Sequence, residues 1–175
     1  MAALKSRDRH LLYVSVSQKT IVNNLRYGAE IERQLGMPID TVVLSVCADR
    51  YRLAKQFLSS AKKVLSMKPP QFRSAISRYY YSMYHAARAV VYVAHGGDDF
   101  EAHSTLSQNL PDDFPNVAVW RNSLREARLL RNKVDYEPYP KLQKSFAADS
   151  DELIKKAKDF LSLSEQYLVA RGCAI

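Results

Sequence analysis

Residues 72–94, FRSAISRYYYSMYHAARAVVYVA, decide the fold, because they form a long helix-favouring run that is apolar or aromatic almost all round. A helix with this pattern is buried on every side and needs other helices to cover it. Gly96-Gly97 follows the run, and glycine just beyond a last turn is a typical helix end. We therefore expect a central helix over about 71–94.

Further amphipathic stretches are long enough to surround this central helix. The expected helices run over 20–35, from residue 40 or 41 to about 66, from 116 to about 136 or 138, and over 150–170, with a short one near 103–109. Residues 11–18, LLYVSVSQ, are predicted as a short β-like run or an irregular arm. The pattern indicates an all-α bundle of four to five helices, with 1–38 as an N-terminal extension and 39–175 as the helical domain.

The composition favours a globular, basic protein. Hydrophobic residues make up 47% of the 175 residues and charged residues 25%, which excludes wholesale disorder. The 26 basic residues against 18 acidic ones give a net charge of +8, which favours a polyanion such as nucleic acid, although plain solubility explains it too.

The cysteines and the apolar segments exclude several classes of protein. Cys47 and Cys173 lie far apart without a CxxC pair, so the sequence suggests neither a disulfide framework nor a zinc site. No stretch has the length of a signal peptide or a membrane span, so we expect a cytoplasmic protein that does not enter a membrane. No cofactor or metal motif is recognisable.

Four arginines follow one side of the predicted helix 116–136. Arg121, Arg125, Arg128 and Arg131 are spaced by four, three and three residues, which confines them to an arc of about 120°. Guanidinium groups match phosphate geometry, so this stripe is a candidate for binding the RNA or DNA backbone. A solvated face or a homodimer interface is the alternative.

The stripe runs into LLRNKVDYEPY at residues 129–139, where several polar side chains share one helix end. Arg131 and Asp135 are four residues apart, as are Asn132 and Tyr136, so each pair consists of neighbours on the helix surface. This cluster is either a functional site or a solvated helix end.

The central helix carries Arg78, Ser82 and His85 on one face. A histidine on such a helix is usually a hydrogen-bonded core residue, but His85 could also meet the Arg131 cluster and transfer protons near neutral pH. Arg78 joins the candidate phosphate-binding arginines. We interpret His95 and His103 as solvated or capping groups.

Taken together, AISRYYYSMYHAARAVVYVAHGG, the loop EAHSTL and LLRNKVDYEPY resemble the HEPN family, over roughly residues 40–170. The resemblance implies a helical bundle that dimerises. It also implies metal-independent ribonuclease activity, which in active members uses an arginine followed four to six residues later by a histidine. Arg131 and the polar Asn132 match that motif, whereas the histidine position holds Asp135 or Tyr136.

The missing histidine affects the expected chemistry. RNA cleavage needs a base, an acid and a positive charge near the phosphate. Arg131 supplies the charge, but an ion-paired Asp135 is a poor acid, so either His85 substitutes or turnover is weak. Several HEPN proteins also pair with a minimal nucleotidyltransferase that adds AMP to a tyrosine beside the motif, and the resemblance assigns that role to Tyr136 first and Tyr139 second.

Three functions remain open from the sequence. The first is a ribonuclease toxin in a toxin–antitoxin or defence pair, with a nucleotidyltransferase as antitoxin. The second is a non-catalytic module that binds RNA or nucleotide, or that holds the nucleotidyltransferase. In the third, the arginines serve only to pack a homodimer.

Overall fold

The computed structural model describes residues 6–175, and within that range the chain forms α-helices and no β-strand. The helices are α1 (Ser6–Ser15), α2 (Lys19–Leu35), α3 (Ile39–Leu65), α4 (Phe72–His95), α5 (Val117–Tyr136) and α6 (Ala147–Val169). Short 3₁₀ helices at Leu106–Asn109 and Gln143–Phe146 lie before and after α5. The predicted all-α fold is confirmed. No described helix combines the length and the apolar character that crossing a membrane would require.

The chain divides into two compact units, one ending at Val42 and the other spanning Val43–Ile175. The first unit contains α1 and α2, and α2 ends at Gly36, whose φ of +66° suits glycine. The carboxylate of Glu32 accepts a hydrogen bond of 2.8 Å from the Ile39 amide, so it caps the start of α3.

The second unit is built around α4, as the sequence predicted. Ile76, Tyr79, Met83 and Val90 of α4 are fully buried. Helices α5 and α6 pack against α4, and α3 covers another side, where the Ser82 hydroxyl donates to the Ala54 carbonyl at 2.8 Å. The result is a four-helix bundle of α3 to α6 with α4 at its centre.

The β-like or irregular arm predicted for 11–18 is wrong, because α1 is helical through Ser15. Short apolar runs do not distinguish helix from strand by periodicity. A helix satisfies its own backbone groups, whereas a strand needs a partner, and no strand exists in residues 6–175. The hydroxyls of Ser15 and Ser17 also donate to carbonyls three and four residues back, at 2.8 and 2.6 Å.

The last helix begins earlier than the predicted residue 150. Helix α6 begins at Ala147 and continues directly from the preceding 3₁₀ helix. Phe146 at this junction is 1% exposed and packs under the Arg73 guanidinium, 5.0 Å from the ring centre. No side-chain hydrogen bond caps this start, so burial of the aromatic ring holds the beginning of α6 in place.

Candidate functional site

Arg73, in the first turn of α4, holds the end of α5 and the segment that follows it. Its Nε donates to the Val134 carbonyl at 2.9 Å and its Nη1 to the Pro140 carbonyl at 3.1 Å, while Nη2 donates to the Glu137 carbonyl. The last carbonyls of a helix have no partner within the helix and carry partial negative charge, which a guanidinium complements. Arg73 therefore fixes the position of residues 129–139.

Arg131 lies at the centre of a closed polar cluster. Its Nε is 2.7 Å from Asp135 Oδ2, its Nη1 donates to Asn132 Oδ1 at 3.1 Å, and its Nη2 donates to the Tyr81 hydroxyl. The guanidinium also lies 5.3 Å from the Tyr136 ring centre. The side chain is only 15% exposed, so the structure brings together the residues predicted to cluster at this helix end and largely encloses their arginine.

His85 is joined to this cluster through Tyr81. The His85 ring stacks on Phe57 of α3 at 5.1 Å and lies 6.5 Å from the Tyr81 ring, whose hydroxyl contacts Arg131. Burial, reinforced by the nearby Arg88, lowers the pKa of His85 to about 4. The imidazole is therefore neutral at pH 7 and only weakly basic.

His103, interpreted from the sequence as a solvated or capping group, lies against the tyrosines of α4. Its ring stacks on Tyr84 with centroids 4.2 Å apart, and its Nδ1 lies 2.5 Å from the Tyr80 hydroxyl. Its backbone carbonyl accepts a hydrogen bond of 3.3 Å from Arg128. The tyrosine run of the central helix is the sequence feature that could have indicated this contact, because Tyr80 and Tyr84 extend from α4 and hold the loop histidine.

The loop before His103 is fixed to α4 by an ion-pair network. Arg88 donates to both carboxylate oxygens of Asp98 and to Glu101 at 2.7 Å, and Arg50 of α3 reaches Asp98 at 2.9 Å. The Tyr84 hydroxyl donates to the Glu101 carbonyl at 2.6 Å. These bonds hold the loop backbone against α4, so that His103 stays beside α4 and α5.

We expect Asp98→Asn to loosen this loop and to remove a pH-dependent part of the stability. The hydrogen bond from Arg88 lowers the pKa of Asp98 below its ordinary 3.8. A carboxylate with a lowered folded-state pKa stabilises the protein above its unfolded pKa, and this contribution disappears as the pH falls through the folded-state value. Unfolding measured from pH 7 to pH 2 should show a steeper loss below about pH 4 in the wild type than in the variant. Equal slopes would contradict this role of Asp98.

The other three arginines of the predicted stripe line a groove beside the 3₁₀ helix Leu106–Asn109. The groove has a volume of about 250 Å³ and is lined by Ser104, Ser107, Gln108, Arg121, Asn122, Arg125 and Arg128. Arg121 is paired with Asp112 at 2.8 Å. Arg125 and Arg128 have no carboxylate partner among the described residues; they bond only to the Asn122 side chain and the His103 carbonyl, at 3.3 Å each.

The remaining predicted residues lie elsewhere on the bundle. Arg78 faces α3, where its Nε donates to the Ser60 hydroxyl at 3.0 Å, and its Nη1 donates to the Ser74 carbonyl at 3.2 Å. Arg78 therefore bonds to residues outside the groove. Tyr136 and Tyr139 are 72% and 64% exposed, which leaves both hydroxyls accessible. Among the described residues, no group of three His, Cys, Asp or Glu side chains is arranged to hold a metal ion.

Comparison with known families gives a match to the model described as HEPN domain, over residues 48–167. The matched segment contains α4, the loop with His103, α5 and most of α6. Comparison with curated proteins gives no match.

Proposed function

Because the chain belongs to the HEPN family, we propose that it acts on RNA, as the ribonuclease toxin of a toxin–antitoxin or defence pair. HEPN domains are generally ribonuclease or RNA-binding modules, so RNA is the first substrate class to consider. The net charge of +8 agrees with a polyanionic ligand.

The observation that carries this proposal is a pair of arginines in the groove, Arg125 and Arg128, that have no carboxylate partner in the described part of the chain. A guanidinium that is already bonded to a carboxylate must give up that partner to bind phosphate, whereas Arg125 and Arg128 need give up only weak contacts of 3.3 Å. Ser104, Ser107 and Asn122 add neutral donors along the same groove. Such a surface suits the sugar-phosphate backbone of a single strand.

Arg131, the arginine of the family motif, does not itself bind phosphate in this proposal. Arg131 is bonded to Tyr81, Asn132 and Asp135, so it supplies positive potential and fixes its neighbours while Arg128 makes the open contact with phosphate. Arg131 and Asn132, predicted as catalytic residues, are positioning residues in this proposal, and Asp135 is the ion-pair partner of Arg131. His85, with its low pKa, is a packing residue in this proposal.

The test is cleavage of a labelled single-stranded RNA panel by purified, unmodified protein in excess EDTA. We expect cleavage in the wild type and RNA binding weakened about tenfold in Arg128→Ala, the range for loss of a charged contact. Lys62→Ala, an exposed lysine on α3, is the matched control and should leave both properties unchanged. An RNA panel that stays intact under these conditions would contradict ribonuclease activity.

We propose that a nucleotidyltransferase partner acts as the antitoxin and modifies Tyr136. Tyr136 is exposed and its ring contacts Arg131, so an AMP group there would add negative charge beside the motif arginine, at the end of the helix that carries Arg125 and Arg128. On co-expression with such an enzyme, intact mass should rise by one adenylyl group, and Tyr136→Phe should abolish the gain. A shift that persists in Tyr136→Phe but disappears in Tyr139→Phe would move the acceptor to Tyr139.

A non-catalytic module that binds RNA or nucleotide, or that holds the nucleotidyltransferase, is the second candidate. The closed contacts of Arg131 favour it, because the motif arginine is not free to meet a phosphate. Binding to the groove without cleavage would identify this second function. Under either function we propose a homodimer, which sedimentation velocity would reveal.

A further inference from the structure

We propose that His103 is the catalytic base of this protein and takes the proton of the RNA 2′-hydroxyl next to a phosphate bound by Arg128. The inference rests on the proposed ribonuclease function. It assigns the proton-transfer step to a residue of the loop between α4 and α5, outside the helix that carries Arg131.

The first support is the way the ring is held. Tyr84 stacks against one face at 4.2 Å, and the Tyr80 hydroxyl meets Nδ1 at 2.5 Å. To act as a base at Nε2, the imidazole must carry its proton on Nδ1 and donate it to the Tyr80 oxygen, because this tautomer leaves the lone pair of Nε2 free. His103 is an exposed residue and its Nε2 has no hydrogen-bond partner in residues 6–175, so substrate can reach that atom.

The second support is the position beside the groove. The Arg128 guanidinium contacts the His103 carbonyl at 3.3 Å, and residues 104 and 107, just after the histidine, line the same groove. A phosphate on Arg128 would therefore lie next to the loop that carries the imidazole. Orientation of the reacting groups by a fixed loop is a large part of such catalysis.

The third support is the charge around the ring. The titratable and charged groups near the ring are Tyr80, Tyr81, Tyr84, His85 and Arg88 on α4, and Arg128 and Arg131 on α5. Burial, followed by Arg131 and Arg128, lowers the pKa of His103 below the ordinary 6.5. The imidazole is neutral at pH 7, which is the form a base requires.

The alternative histidine does not fit this task. The His85 ring is stacked on Phe57 at 5.1 Å, and its pKa of about 4 makes it a weak base. Asp135 is occupied by Arg131 at 2.7 Å and by the Ser77 hydroxyl at 3.2 Å. His103 thus supplies the imidazole that the Arg131 helix lacks.

The step balances without a metal or a redox partner. Nε2 of His103 accepts the 2′-hydroxyl proton, the 2′-oxygen forms a bond to phosphorus, and the bond from phosphorus to the 5′-oxygen breaks. The leaving 5′-oxygen takes a proton from water, and the imidazolium returns its own proton to solvent. The products are a 2′,3′-cyclic phosphate and a 5′-hydroxyl.

The experiment measures the rate at saturating RNA, the dissociation constant and the pH profile in EDTA. The proteins are the wild type, His103→Ala, His95→Ala and Tyr80→Phe. We expect His103→Ala to lower the maximal rate about 100-fold with the dissociation constant unchanged, which is the usual contribution of a positioned base. Added imidazole should restore part of that rate.

The controls separate chemistry from structure. His95→Ala removes another exposed histidine, which meets the Asn109 carbonyl at 3.1 Å, and should keep the wild-type rate. Tyr80→Phe removes the hydrogen-bond partner of His103 Nδ1. We expect its maximal rate to be about tenfold lower and the acidic side of its pH profile to be shifted, with RNA affinity unchanged. Because the pKa of His103 is lowered, the wild-type rate should fall on an acid limb with its midpoint below pH 6.5, and His103→Ala should lack that limb.

Each other outcome overturns a distinct claim. A wild type that cleaves no RNA overturns the proposed ribonuclease function, and the role of His103 with it. A wild type that cleaves while His103→Ala keeps its rate overturns the role of His103 alone. A variant that loses RNA affinity and gains nothing from imidazole shows a purely structural histidine, which also overturns the inference.

Discussion

Replacing Arg73 with alanine should lower the free energy of unfolding by about 2–4 kcal/mol, because charge-assisted hydrogen bonds and a cation–π contact are lost. The guanidinium serves the carbonyls of Val134, Glu137 and Pro140, and it also covers Phe146. Alanine leaves those carbonyls without a protein partner and uncovers an aromatic ring. The segment that holds Tyr136 and Tyr139 should then loosen together with the end of α5.

Urea unfolding followed by circular dichroism checks this expectation. Arg125→Ala is the matched control, because it removes an exposed arginine with one contact of 3.3 Å and should change stability by less than about 0.5 kcal/mol. Arg73→Lys should fall between the two, since an ammonium cannot reproduce a planar fork of donors. An Arg73→Ala variant as stable as Arg125→Ala would show that the guanidinium does not hold this segment.

The double variant Arg125→Ala/Arg128→Ala should bind single-stranded RNA about 100-fold more weakly than the wild type at low salt, from two lost charge-assisted contacts. The logarithm of the binding constant should also fall less steeply with the logarithm of the salt concentration. The slope should be smaller by about 1.4, because RNA binding releases fewer counterions once two phosphate contacts are lost. Fluorescence anisotropy over a salt series gives both quantities.

The control for this double variant is Lys62→Ala/Lys63→Ala, which removes the same charge from an exposed part of α3. It should shift the affinity only slightly, through the change in net charge. If both double variants weaken binding equally, the protein attracts RNA by its overall charge and the groove has no special part in binding.

The helical bundle could be predicted from the sequence because the segment with the clearest pattern is also the most buried helix. Residues 72–94 are apolar nearly all round, and they form α4, which ends directly before the two glycines as predicted. The LLYVSVSQ segment failed for the opposite reason, since eight residues of mixed apolar and serine character carry no decisive period. The propensities of these residues alone therefore do not predict that the segment is helical.

The site was only partly visible in the sequence, because its members come from three segments that are distant along the chain. The pairing of Arg131 with Asp135 was predictable from their spacing on one helix, and the structure contains it at 2.7 Å. The contact of His103 with Tyr80 and Tyr84 was not, since a loop has no period that aims its side chains. Likewise, spacing placed Arg121, Arg125 and Arg128 on one side of α5 but could not show that, within residues 6–175, only Arg121 of the three pairs with a carboxylate.

The most direct test of the central claim is to map bound RNA on the chain by NMR of the ¹⁵N-labelled wild-type protein. Titration with a short single-stranded RNA should shift the amide signals of Ser104, Ser107, Arg125 and Arg128, together with the imidazole resonances of His103. Signals on the α3 side, around Arg78 and Ser60, should stay in place. Shifts confined to that opposite side, or no shifts at millimolar RNA, would contradict the assignment of the groove as the RNA site.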